Sequence, residues 1–223
     1  GGEFTQPSFA EDVNNLGGFA GVPNSTRRII DASTGTVENI AGTPTITTTS
    51  QATAYNNMGV PGAKSFHLGF PGYGTLNPYF ARHATSPTAT VIGDAMSKNP
   101  TFFTNWIGAN DVLSYATNGG AQADGTTPAA DHNLTGNMNP ATYGSNDITN
   151  SGVFASVYST LINTLTSGGA KGVVATVPSV TSIPYFTTVP FNPVPLDNAT
   201  ATQLNSVYAT YNGGLDLAFS NGL

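Results

Sequence analysis

Two short stretches of this chain hold residue types that could line a polar site. The first runs from Phe102 to Leu113 and reads F-F-T-N-W-I-G-A-N-D-V-L. An apolar, aromatic run of strand character breaks at Gly108, and an amide, Asn110, and a carboxylate, Asp111, follow at once. A buried strand that ends in this way is a common route to a site at the C-terminal edge of a parallel sheet. A strand ended by an ordinary Gly/Asn/Asp turn has the same composition, so spacing alone leaves both readings open. The second stretch is Val60-Pro61-Gly62-Ala63. Pro61 has a fixed φ and no N–H, so the chain must turn there. Gly62 lets the backbone come close to a ligand with its N–H pointing outward.

The elements that must position these residues read as alternating helices and strands. Residues 1 to about 50 are rich in turn signals, with short strands expected at Thr26–Ile30 and Thr45–Thr49. Gln51–Asn57 reads as a strand leading into the Gly62 turn, and Phe66–Leu68 as the start of a short helix. Ser86-Pro87 has the form of an N-cap and N1 pair, which predicts a helix from Pro87 to about Ser97. Asn99-Pro100 stops it, and a strand over Thr101–Ile107 follows.

Residues 114–150 read as a long polar loop, either lying over the site or forming a surface insertion without a role. Val153, Phe154, Val157, Leu161, Ile162 and Leu165 stand at helical spacing, with Ser151 as N-cap and Gly168-Gly169 as the stop. Gly172–Val177 is uncharged and β-branched, as a buried strand should be. Residues 178–195 read as a stiff, Pro-rich loop at the same sheet edge. A last helix is expected from about Thr200 to Ser220, weakened by Gly213-Gly214. Two helix-then-strand steps argue for an α/β domain with a mostly parallel sheet.

Composition narrows the function classes. Of 223 residues only 8% are charged, and the net charge is −6 with six Lys plus Arg. Beyond Arg27-Arg28 there is no basic cluster, which argues against a nucleic-acid surface. Cys is absent, so disulfides, Cys-ligated metals and a Cys nucleophile are excluded. No apolar run approaches the length of a membrane span. A polar but uncharged surface is common in secreted and cell-surface proteins. Asp124, Asp131, His132 and Asp147 are spread too widely for a tight Ca²⁺ loop, so no metal and no other cofactor is expected.

The block Gly108-Ala109-Asn110-Asp111 resembles the G-x-N-D block of the SGNH (GDSL-type) esterases and lipases. Asn57-Met58-Gly59-Val60-Pro61-Gly62-Ala63 resembles the family's second block, an Asn followed five residues later by Gly. The wider wording, including "VPGAKSFHL", "NPYFARHATSPTATVIGDA" and "NWIGANDVLSYAT", is similar to the surface-anchored bacterial GDSL-like lipoproteins over nearly the whole chain. The resemblance implies a flavodoxin-like three-layer α/β/α sandwich formed as a single domain over 1–223, incomplete at both ends. It implies an ester hydrolase working through an acyl-serine intermediate.

By the same resemblance, the Gly62 N–H and the Asn110 amide would be two of the oxyanion donors. Asn57, Gly108 and Asp111 would support them, Asp111 by accepting backbone hydrogen bonds. Fixed, uncharged N–H groups are what a developing alkoxide requires. The implied substrate is a small-molecule, lipid or glycan ester. The implied location is the cell surface or outside the cell, as an outer-membrane lipoprotein anchored through a lipidated N-terminus outside these residues.

Two family blocks are missing. No Gly-Asp-Ser or Gly-Asn-Ser precedes the second block, and Gly93-Asp94-Ala95 lacks the serine. Ser25 and Ser65 have no motif around them. No Asp-x-x-His is present, since His67, His83 and His132 follow Lys64, Phe80 and Ala129 at that spacing. The nucleophile and base are therefore expected outside this sequence. The alternative is a catalytically inactive relative that binds a ligand, glycan or protein at the cell surface.

Overall fold

The computed structural model describes residues 4–5, 12–47, 51–188 and 196–221. The chain divides into two compact units, 1–180 and 181–223. The first opens with a small antiparallel hairpin, β1 (Arg28–Ile30) against β2 (Val37–Asn39), with Ile29 opposite Glu38. Of the strand expected at 45–49, only a bridge from Ile46 to Phe19 forms, and 48–50 lie outside the described residues.

The expected strand at 51–57 is not formed. It holds two consecutive Asn residues, and both backbone N–H groups of Asn56 and Asn57 turn to one carbonyl, that of Thr5. A 3-10 turn over Ser65–Gly69 stands where the short helix was expected. Helix α1 (Pro78–Ala81) follows, capped by Asn77, whose side chain accepts from the N–H groups of Tyr79 and Phe80.

Helix α2 is Val91–Ser97, shorter than expected. Its cap is Thr90, whose hydroxyl accepts the Gly93 N–H, rather than Ser86. The expected N-cap at Ser86 fails because Thr90 offers an equivalent cap directly before the first buried residue, Val91. Strand β3 (Phe102–Asn105) pairs in parallel with β4 (Lys171–Val174), Thr104 opposite Val173. Between them lie α3 (Asn110–Thr117), α4 (His132–Thr135) and α5 (Ser151–Thr166). The stretch expected to be loop over 114–150 thus contains the end of α3 and all of α4.

Helix α5 buries Val153, Leu161 and Leu165. Its cap is Asn150, one residue before the expected Ser151, with Oδ1 accepting the Gly152 N–H. The helix packs on the Ser65–Gly69 turn and on α2. Beneath that turn sits a core of Ala63, Tyr73, Phe80, Ala84 and Val91, with Met58, Val60, Leu68 and Ile107 packed against it.

The fold of this unit is mixed helix and strand with a small parallel sheet. Among the described residues the two parallel strands are fewer than the full three-layer sandwich that was expected. The second unit contains α6 (Pro184–Thr187), α7 (Asn198–Val207) and α8 (Ala209–Ser220). Asp197 caps α7 by accepting the Thr200 N–H. The single last helix that was expected is interrupted at Tyr208. Among the described residues no helix is long and apolar enough to cross a membrane.

Candidate functional site

Strand β3 ends at Asn105, and the chain reaches Gly108 with φ at +124°. A Cβ on Gly108 would stand 2.7 Å from Val177 Cγ2 and 3.0 Å from Phe154 Cε2. Both the backbone angle and the close approach therefore require glycine. Helix α3 begins directly afterwards, so Asn110 and Asp111 fall in its first turn rather than in a loop. A carboxylate there also faces the positive end of the helix.

These two side chains grip the stretch that follows Gly62. Asn110 Nδ2 donates to the Ala63 carbonyl at 2.9 Å. The Asp111 carboxylate accepts the Ser65 backbone N–H on Oδ2 and the Ser65 hydroxyl on Oδ1, each at 2.8 Å. Ser65 is fully buried and Asp111 is 3% exposed. The Asp111 carbonyl in turn accepts the Thr149 N–H at 3.0 Å. Residues 63, 65, 110, 111 and 149, far apart in sequence, are thus tied into one unit.

Gly62 lies at the outer end of this unit. Its φ is +77°, it is exposed, and nothing stands within 4 Å of the position a Cβ would take. Among the described residues no group accepts its N–H. Asn110 spends one amide hydrogen on Ala63 and keeps the other. Asn57 bonds locally: its Oδ1 accepts the Gly59 N–H at 3.0 Å, a turn that leads the chain toward Pro61. The structure therefore brings Gly108, Asn110 and Asp111 against residues 63–65, while Asn57 shapes the approach from outside.

A second cluster adjoins the first, and sequence reasoning did not find it. Lys64 is buried, and its ammonium donates to the Asp147 carbonyl at 2.6 Å. Burial lowers its pKa, opposed by the charges of Asp111 and Asp147. The Lys64 backbone N–H donates to His67 Nδ1 at 3.1 Å. Burial, with the Lys64 charge second, lowers the His67 pKa to about 4, so the ring is neutral at pH 7. The ring stacks on Tyr73 at 4.4 Å.

Asp147 is the hub of the 114–150 segment. Its Oδ1 accepts from Gln122 Nε2 at 2.6 Å and the Ala130 N–H at 2.8 Å. Its Oδ2 accepts the Gly144 N–H at 2.6 Å and pairs with His132 Nε2 at 2.8 Å. Burial alone would raise the Asp147 pKa, but these donors outweigh burial and hold it low. His132 lies flat on Tyr143 at 3.8 Å, and its Nδ1 meets the Thr135 hydroxyl at 3.0 Å.

Asp124 and Asp131 instead cap their own turns, accepting from Thr126, Thr127 and Asn133. Among the described residues no group of three or more His, Asp or Glu side chains could hold a metal ion. The only sequence sign of the hub was the Asp and His content of the segment. Its partners lie up to 83 positions apart, a separation that leaves no local pattern.

What the site can do follows from its donors. It offers fixed, neutral N–H groups on one turn and one helix start, braced from behind by a buried carboxylate. The one serine within the cluster, Ser65, is buried and donates to Asp111, so it is not placed to attack a substrate. Comparison with protein-family models, with curated proteins and with solved structures returned no match.

Proposed function

We propose that this chain is the oxyanion-donor portion of a carboxylic-ester hydrolase of the SGNH type, acting through an acyl-serine intermediate. The observation that carries the reading is the Asn110 amide, held on the carbonyl of Ala63, next to the exposed Gly62, whose N–H has no acceptor among the described residues. Two neutral donors held in place, one on the backbone and one on an anchored side chain, are what a tetrahedral intermediate needs, because they cost no reorganisation when the charge develops. In this reading Gly62 and Asn110 stabilise the oxyanion, and Asp111 and Gly108 position them. The serine and histidine come from sequence outside these 223 residues.

The finer fold belongs to the same proposal. The β3–β4 pair, with α5 between its strands, would be two strands of a flavodoxin-like three-layer sandwich. The substrate would be a small-molecule, lipid or glycan ester. The setting would be the cell surface, with a lipidated N-terminus outside these residues as anchor.

A second reading, a non-catalytic binding module of the same fold at the cell surface, is favoured by one observation: Ser65, the serine tied to Asp111, is buried and bonded through both its N–H and its hydroxyl. One experiment separates the two. The 223-residue chain, and a longer polypeptide with its native flanking sequence, are each incubated with a fluorophosphonate probe and with p-nitrophenyl butyrate. The hydrolase reading predicts labelling of a serine outside these residues and turnover by the longer species, with neither in the shorter. No labelling and no turnover in either species would leave the binding module.

A further inference from the structure

A cleft of about 580 Å³ opens between the Ser65–Gly69 turn, α5 and the segment around Pro140. Its volume falls in the range of small-molecule sites. The walls are largely apolar, among them Phe66, Phe70, Ile92, Val157 and Leu161. Lys64 and His67 also line it.

Three facts define the polar end. His67 Nδ1 already accepts the Lys64 N–H, so the neutral ring carries its proton on Nε2. That nitrogen is the one left to meet a ligand, and in this state it is a donor. The Lys64 ammonium is occupied by the Asp147 carbonyl and stands near two carboxylates, Asp111 and Asp147. One positive charge against two negative ones does not favour a bound anion. A ligand cation would bring only donors to a donor.

We infer that this cleft binds an uncharged, chain-like apolar molecule through a single carbonyl oxygen, which accepts a hydrogen bond from the imidazole N–H of His67. The inference stands on the cleft itself and does not require the oxyanion reading. A ketone serves as probe because it cannot be hydrolysed, so binding is separated from turnover.

The test is titration of the 223-residue chain with 2-decanone, followed by ligand-observed NMR, beside decanoate and decylamine. The expected result is saturable binding of the ketone, at least tenfold tighter than either charged analogue. His67→Asn keeps an acceptor for the Lys64 N–H and removes the ring donor. It should weaken the ketone about tenfold, the loss of one neutral hydrogen bond. Ser156→Trp and Thr160→Trp, both at exposed positions lining the cleft, should each abolish binding with an unchanged circular dichroism spectrum. The titration reads binding of a ketone and no ester turnover, so failure of the oxyanion reading would not touch this one. Equal binding of ketone and decanoate, an unchanged affinity in His67→Asn, or retained binding in both tryptophan variants would overturn the inference.

Discussion

Replacing Asp111 by Ala removes the brace that holds the Gly62 turn against the start of α3. In the native protein its carboxylate takes two hydrogen bonds from Ser65, both in surroundings closed to water. Without it, the Ser65 N–H and hydroxyl are left buried without partners, at about 1–3 kcal/mol each. The expected loss is therefore about 4 kcal/mol, a large part of an ordinary domain's stability. Ser65→Ala removes only the hydroxyl and should cost about 2 kcal/mol. In the double variant the orphaned hydroxyl is gone as well, so the two losses should not add. A coupling of about 2 kcal/mol is expected between positions 46 apart in sequence.

Urea unfolding followed by the fluorescence of Trp106, the only tryptophan and placed directly after β3, reports on this unit. A loss below about 1 kcal/mol in Asp111→Ala, or strict additivity with Ser65→Ala, would mean that Asp111 does not brace this turn.

Three further outcomes follow from the same geometry. Gly108→Ala should destabilise by about 2–4 kcal/mol, since its Cβ would enter the space of Val177 and Phe154 at a φ that L-residues avoid; urea midpoints check this. His83 is buried without a hydrogen-bond partner of good geometry, and burial, with the Arg82 charge second, lowers its pKa to about 4. Because the folded value lies below the unfolded value of about 6.5, its contribution is complete above that pH. It falls as pH drops from 6.5 to 4, by about 3 kcal/mol in all, with no further change from this group below. His83→Phe should remove about half of the fall over that window, since His67, also lowered to about 4, titrates there as well. His132→Ala should cost about 2–3 kcal/mol by leaving Asp147 one donor short and Tyr143 without its stacking partner, measurable by thermal unfolding.

The sequence patterns that survived folding are those with strong local causes. Helix α5 was legible because four apolar residues, 153, 157, 161 and 165, repeat every fourth position beside a capping Asn/Ser pair. Strands β3 and β4 were legible in place as apolar runs bounded by Asn-Pro and Gly-Gly, but both are shorter than expected, and all four residues of β4 are exposed where a buried strand was expected. The Gln51–Asn57 strand failed because β-propensity without a pairing partner does not make a strand. The start of α3 was hidden by Gly108, which reads as a break but supplies the bend from which the helix sets out.

The candidate site was half legible. Gly62, Gly108, Asn110 and Asp111 stand out by residue type and spacing. Nothing local announces that Asp111 answers to Ser65, or that Lys64 reaches Asp147. Those contacts depend on how far-separated loops fold over one another, and residue order carries no period for that.

The most direct test of the oxyanion role is the kcat of Asn110→Ala on p-nitrophenyl butyrate, in a polypeptide that carries these residues together with the nucleophile. The expected fall is about 10²–10³-fold, the usual loss for one oxyanion donor. Stability should drop by no more than about 1 kcal/mol, the worth of the single bond to Ala63. An unchanged kcat in a folded variant would contradict the account, because Asn110 would then be a structural anchor for the Gly62 turn and not a donor to the oxyanion.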